Sequence, residues 1–314
     1  MSPDVAEKTI GTNGSAHYTW PEGARLALSI VVNVEEGSES TVLDGDRGPE
    51  PVDELGVVLK KPLRMHGNES NYEYGLREGW PRIHKLLQKY NVRATFTAAA
   101  VSLERAPDIA AAIRDEGHEA CSHGYRWMHQ FHMDEAQERE FIRKAADSIE
   151  HTTGQRPRGW LSRYLHTDNT RRLLQEEGFL YHMDDYSADA PFWGAVDGSP
   201  EPMVILPYAL DSNDMKFWTA PSLTPEDWLT YAKRTFDVLY EEGAEQPRMM
   251  SLGLHLRIIG RPGRIWALEE FLRYVRGKQG VWLASRSDIA EHFARECVDQ
   301  PARVALRAPE QLPE

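Results

Sequence analysis

The chain has 314 residues, 36 Lys plus Arg against 49 Asp plus Glu, a formal net charge of -13, and 41% hydrophobic and 27% charged residues. A chain this long buries roughly three quarters of its unfolded surface and needs no disulfide or metal staple; with only Cys121 and Cys297 it is neither a disulfide scaffold nor a zinc ribbon, and it fits a reducing compartment. The acidic balance argues against nucleic acid or an anionic membrane as partner, because like charges repel.

Residues 1–19 are polar and lack a basic start followed by an apolar run, so they read as a flexible arm without a signal peptide. A single domain is expected over 20–297 and a C-terminal tail over 298–314. No apolar stretch approaches the ~20 residues that span a bilayer, and the expected location is the cytoplasm.

The first element is a strand over Arg25–Val34, apolar almost throughout, as in strands buried on both faces. It ends in Glu35-Glu36-Gly37. A loop rich in Asp, Gly and Pro follows over about 38–70; loops of that length are usually functional or disordered. Beyond residue 77 the pattern alternates. A helix near 80–90 precedes a strand at 92–97, a helix near 106–116 a strand at 118–123, and a helix over 134–153 a strand at 157–162. A helix over 168–177 stops at Gly178, a C-cap signal. Further strands are expected at 179–183, 203–206, 249–256 and 281–284, and helices at 224–243, 264–277 and 286–297. Trp193-Gly194 and Pro207–Met215 read as loops at the barrel mouth.

Repeated strand–helix alternation argues a parallel α/β architecture, and about eight strands favour a distorted (β/α) TIM-like barrel. Chemistry in such barrels sits at the C-terminal strand ends. That rule selects Glu35, Glu36, His123, Arg163, Asp184, Asp185 and His255. No G-x-G-x-x-G follows the first strand, and there is no Walker A motif.

Two adjacent carboxylates at the end of an apolar strand are costly unless solvated, paired or used. Glu35 and Glu36 therefore read either as a solvated strand end or as a general base, alone or beside a metal ligand. Side chains alternate along a strand, so one points inward and the other aside. His123 and His255 each close a strand. An imidazole with an ordinary pKa of about 6.5 can donate a proton near neutrality, and a packed core histidine is the competing reading. Arg163 offers a fork of donors for a carboxylate or polarised carbonyl, or an ion pair. Tyr72, Trp127, Trp193 and Trp218, with Asp185, are candidates for the wall of a substrate pocket.

The constellation resembles the polysaccharide deacetylase superfamily, the NodB-homology fold, and within it the allantoinase-like branch of cofactor-independent allantoinases and cyclic imide hydrolases. The segments that carry the resemblance are Asn33–Gly37, Asn71–Gly75, Ser122–Trp127, Asn169–Leu173, Pro207–Met215 and Gly253–Arg264, spread over about residues 20–290. It implies hydrolysis of an amide C–N bond in a distorted barrel. In the metal-using members a catalytic Asp precedes a metal-binding Asp, and these positions fall on Glu35 and Glu36. Two His ligands four residues apart follow; the first falls on His123 and the second on Trp127, which has no lone pair for a metal. The family's Arg and last His fall on Arg163 and His255.

The expectation is a cytoplasmic hydrolase of a small cyclic amide, a ureide or imide. Carboxylate-activated water attacks and His255 acts as general acid. Either no cofactor is required, or Glu36 and His123 hold a weakly bound divalent metal such as zinc. The competing expectations are an N-deacetylase of an acetylated sugar or polysaccharide, and a non-catalytic ligand-binding barrel. The partner expected is a small-molecule amide, with no nucleic acid and no membrane. The resemblance also implies a homo-oligomer, with a tetramer common in that branch.

Overall fold

In the computed structural model, which describes residues 18–51, 61–219 and 222–303, the first strand organises everything else. β1 (Leu26–Val34) is buried at every position. Its successors are β2 (Thr95–Ala98), β3 (Glu119–Ser122), β4 (Gly159–Trp160), β5 (Tyr181–His182), β6 (Phe192–Gly194), β7 (Met203–Ile205), β8 (Arg248–His255) and β9 (Val281–Leu283). The sheet order is β6-β7-β5-β4-β3-β2-β1-β8, with β9 beside the start of β1. All pairings are parallel except β6 with β7. The result is the expected distorted barrel, curled and opened between β6 and β8. Across that gap the amide of Met249 donates to the Asp189 carbonyl at 2.8 Å, and that of Gly253 to the Ser212 carbonyl at 3.0 Å.

The two-residue period of β1 sorts its side chains. Leu26, Leu28, Ile30, Val32 and Val34 join the large cluster between sheet and helices, while Ala27 and Val31 join the cluster inside the barrel. Continuing that alternation sends Asn33 and Glu35 inward and Glu36 toward the helices. The same count on β8 sends Met249 inward and Met250, Leu252 and Leu254 outward, so His255 points in. Gly253 on this inner face has a direct cause. A Cβ there would lie 2.4 Å from the Tyr208 hydroxyl and 2.6 Å from Asn213 Nδ2.

Register then aligns the strand ends. Val34 pairs with Ala98, Ala98 with Ser122, Ser122 with Trp160, Trp160 with His182, and Asn33 with His255. Residues just beyond this row therefore share one rim.

The helices follow their local signals. Glu135–Thr153 begins with a capping box between Asp134 and Gln137 and ends at Gly154 in the left-handed region. It buries Ile142, Ala145, Ala146 and Ile149 on one face. Thr224 with Asp227 and Ser285 with Asp288 cap two later helices in the same way.

Several expectations need correction. The helix expected near 106–116 is present as Pro107–Asp115, and a helix that was not expected, Ala100–Arg105, precedes it; Pro107 has no N–H to continue the first and starts the second. Trp193-Gly194 is not a mouth loop; it belongs to β6 and pairs with β7. The 38–70 loop contains a turn of 3-10 helix at Val42–Asp44 and the start of a helix, His66–Tyr74, that continues through a π-helical turn, Gly75–Gly79, into Trp80–Lys89; its residues 52–60 lie outside the described residues. Of the supposed arm, Tyr18 is buried with its ring 5.8 Å from that of Phe293, and residues 1–17 lie outside the described residues. The tail begins on the sheet, with Arg303 bridging Gly194, and residues 304–314 are likewise outside. Among the described residues, no helix is long and apolar enough to cross a membrane.

Candidate active site

The rim created by this register surrounds a cavity of about 80 Å³ lined by Asn33, Glu35, His123, Trp127, Ser162, Arg163, Tyr164, Tyr186, Tyr208, Leu210 and His255, among others. Glu35, His123, Arg163 and His255, four of the seven strand-end residues selected from the sequence, thus meet at one opening, although they come from the ends of β1, β3, β4 and β8.

Glu35 is the hub. Its Oε1 lies 3.3 Å from His255 Nε2 and 3.5 Å from His123 Nε2, and its Oε2 lies 2.8 Å from Arg257 Nη1. Burial pushes the carboxyl up, but the charges of His255 and Arg257 outweigh it and hold the group well below the ordinary carboxylate range. His255 shows the converse. Burial works against its charge, yet Glu35 on one side and Asp214 on the other push it up to about 10. Asp214 Oδ1 is 2.7 Å from His255 Nδ1, and its Oδ2 accepts the amides of His255 at 2.7 Å and Ile259 at 3.1 Å. The ring is thereby fixed with Nδ1–H on Asp214 and Nε2–H toward Glu35.

Glu36 takes no part in the cavity wall. Its oxygens accept from the amides of Glu35 at 3.1 Å and Arg257 at 3.0 Å, and Oε1 lies 3.3 Å from Arg257 Nη1. It packs against Gly75, where a Cβ would come within 2.7 Å of its Oε1. Burial, with Glu35 adding to it, raises its pKa.

The fit of a cation to Glu36 and His123 is decided by Trp127. His123 Nδ1 is 2.7 Å from the Leu161 carbonyl, so it carries the proton, and Nε2 accepts the indole N–H of Trp127 at 3.1 Å. The lone pair that would bind a metal is therefore engaged by the residue that stands where the second His is expected. Glu36 meanwhile faces Arg257. These residues do not form a cation cradle.

Arg163 is committed elsewhere too. Its Nη1 donates to Glu50 Oε2 at 3.0 Å and to the Trp127 carbonyl at 2.6 Å, its Nη2 donates to Glu50 Oε1 at 2.5 Å, and its guanidinium stacks 3.8 Å from the Trp127 ring. Both Arg163 and Glu50 are buried. Only Nε lacks an acceptor among the described residues.

Of the expected wall residues, Trp127 lines the cavity. Tyr72 lies behind it under the Arg257 guanidinium, 4.3 Å away. Asp185 and Trp193 are not at the cavity. Asp185 accepts from the Ser187 amide at 2.9 Å, and the Trp193 indole donates to the Cys297 carbonyl at 2.7 Å. Trp218 packs against the main core cluster instead.

Sequence reasoning overlooked Asp214, Arg257, Glu50 and Tyr164. Asp214 and Arg257 lie inside segments that carried the family resemblance, so signal was present. Glu50 sits in a loop with no periodicity to report its direction.

The sequence profile of the family described as "Polysaccharide deacetylase" matches residues 69–181. A Schizosaccharomyces pombe protein named "Putative polysaccharide deacetylase" is 36% identical over 309 residues, which is 92% of this chain and 95% of that protein. The crystal structure of PuuE allantoinase superposes with a TM-score of 0.85 at 43% identity, covering 90% of this chain and 94% of that one. The structure of a "probable Polysaccharide deacetylase" from Pseudomonas aeruginosa PAO1 has a TM-score of 0.85 at 45% identity, covering 91% and 96% respectively.

Proposed function

The chain belongs to the polysaccharide deacetylase family, hydrolases of C–N bonds other than peptide bonds, and on that footing we propose that it opens the ring of a small cyclic amide, an allantoin-like ureide or a cyclic imide.

The observation that carries the reading is the Glu35–His255 pair at the floor of a cavity of about 80 Å³. At roughly 10–15 Å³ per water-sized group, that space admits about five to eight such groups, enough for a small imide ring or for the reacting part of a ureide. Glu35, ionised, takes a proton from the attacking water. His255, protonated and held by Asp214, donates its Nε2 proton to the departing nitrogen. The two groups have their pKa values pushed apart, which is how one site holds a base and an acid together. Arg163 and Arg257 bring fixed positive charge to the cavity and favour the oxyanion through their field, since their Nη atoms are already engaged. His123 and Trp127 form a rigid wall that orients water and ring. Every step uses side chains of this chain and none is routed through a metal.

The resemblance to PuuE allantoinase supports the ureide reading. We extend the proposal to a homo-oligomer that binds neither nucleic acid nor membrane, in keeping with the net charge of -13. Two free, buried thiols favour the cytoplasm.

A second reading, deacetylation of an N-acetylated sugar, draws on the names of the relatives, among them a Helicobacter pylori peptidoglycan deacetylase 26% identical over 252 residues. A neighbouring recess of about 650 Å³ also shares the rim residues Tyr208 and Leu210. The deciding experiment assays the protein on allantoin, hydantoin, succinimide, dihydrouracil and chitooligosaccharides, with and without chelator. Ring opening supports the first reading. Acetate release in the absence of ring opening replaces it with the second.

A further inference from the structure

Three side chains outside the proposed machinery converge on the β4–β5 side of the rim. His182 closes β5, and Asp184, two residues on, points to the same side of the chain; both are buried. His166, exposed, lies edge-on to His182 with ring centroids 5.0 Å apart at 89°. One ligand atom from each residue lies within 4.8 Å of the others. Asp184 Oδ2 is 2.5 Å from His182 Nε2 and accepts the Ser162 amide at 2.8 Å. Asp184 Oδ1, by contrast, is buried with no partner among the described residues. A carboxylate oxygen sealed in the interior is costly unless something positive meets it.

We propose that His166, His182 and Asp184 form a divalent transition-metal site, separate from the catalytic cavity. Two imidazoles and a carboxylate are a borderline donor set of the kind that zinc, cobalt and nickel accept, with a remaining position for water. The exposed His166 gives the ion its route from solvent. Coordination through His182 Nε2 needs the ring proton on Nδ1. That nitrogen now faces Arg171 Nε at a long 3.4 Å, while Arg171 Nη2 is already 3.6 Å from Asp185 Oδ2. A tautomer exchange with a swing of Arg171 toward Asp185 completes the site without net loss of a proton. Because Asp184 also holds the amide of Ser162, which lines the catalytic cavity, the ion ties the exits of β4 and β5 together. It leaves the lone pair of His123 untouched. The inference does not depend on which C–N bond the enzyme cleaves.

The test uses the full, untagged chain stripped with EDTA. Calorimetric titration with zinc should show one site, and cobalt should give a ligand-field absorption spectrum of the same stoichiometry. His166→Ala, at an exposed position, should leave near-UV circular dichroism unchanged and weaken both metals at least ~10-fold, the lower end of what even outer-shell partners contribute. His123→Ala should keep the full stoichiometry. Zinc should raise the melting temperature of the wild type but not of His166→Ala. Absence of binding by the wild type overturns the site, as does equal binding by His166→Ala. Loss of binding in His123→Ala with retention in His166→Ala also overturns it and moves the ion to the main cavity.

Discussion

Oε1 of Glu35 lies 3.3 Å from Nε2 of His255, while Oε2 of the same carboxylate is braced 2.8 Å from Arg257 Nη1. The neighbouring Glu36 faces Gly75 and Arg257 instead. The two adjacent glutamates should therefore separate cleanly. Glu35→Gln removes the base and should lower kcat by ~10²–10⁴-fold, the span of general-base contributions. Glu36→Gln keeps an acceptor for the Arg257 amide and should retain most of kcat. Steady-state kinetics of the two variants check this, and equal losses would mean that the inward count along β1 does not decide the role.

The charge state of His255 sets the alkaline limit. With Glu35 held well below its ordinary value and His255 pushed up to about 10, kcat/KM should be flat through neutrality and fall as pH rises through about 10. Asp214→Asn removes one of the two negative neighbours, so that fall should move to lower pH. Stability carries the same sign. The folded pKa is raised above an unfolded value of about 6.5, so the contribution is complete below that pH and is lost as pH rises through about 10. The melting-temperature penalty of Asp214→Asn should be largest at pH 6 and shrink toward pH 10.

Glu50 and Arg163 are a buried, bidentate pair joining the 38–51 loop to the end of β4. Removing one partner leaves the other charge buried and alone. Glu50→Ala should destabilise by about 3–5 kcal/mol in urea denaturation, and Glu50→Gln by less. A change below about 1 kcal/mol for Glu50→Ala would show that the loop is not anchored through this pair.

Tyr164 has φ of 60° and sits at the cavity mouth, inside a turn closed by the Leu165 amide on the Arg163 carbonyl at 2.7 Å. That turn is of the strained γ type, and a non-glycine residue held in such a sparsely populated backbone region costs about 1–3 kcal/mol. Tyr164→Gly relieves the strain while deleting the ring. The expected result is a melting temperature no lower than wild type with kcat/KM down about 10-fold or more. A loss of stability would mean that packing of the phenol outweighs the strain.

Trp127→Phe keeps the aromatic face under Arg163 but removes the indole N–H from His123 Nε2. A buried acceptor left without its donor costs about 1–3 kcal/mol. Thermal or chemical denaturation should show that loss, and a change well below about 1 kcal/mol would mean that the indole bond to His123 contributes little.

The sequence was most legible where short-range periodicity carries the information. The unbroken apolar run of β1 reported burial on both faces, and its two-residue count already implied that Glu35 and Glu36 point apart. It could not say which one faces the cavity, because that depends on which face of β1 the barrel closes over. The helices Glu135–Thr153, Pro225–Glu242 and Arg286–Glu296 likewise lie within a residue or two of where the pattern put them. β6 was missed because three residues carry too little periodicity, and its pairing with β7 depends on a partner elsewhere in the chain.

What the chain determined by itself is the alternation of strands and helices, the chemistry-bearing residues after β1, β3, β4 and β8, and a tryptophan at residue 127 where a metal ligand would otherwise stand. These follow from side-chain volume, polarity and spacing along a few residues. Tertiary structure alone decided that Arg257 rather than Arg163 braces Glu35, that Asp214 holds His255, and that Glu50 claims Arg163. Each of those contacts joins segments more than 35 residues apart, as the 41 between Asp214 and His255 illustrate. Which charges meet across such a span is set by strand register and barrel curvature, which no local pattern encodes.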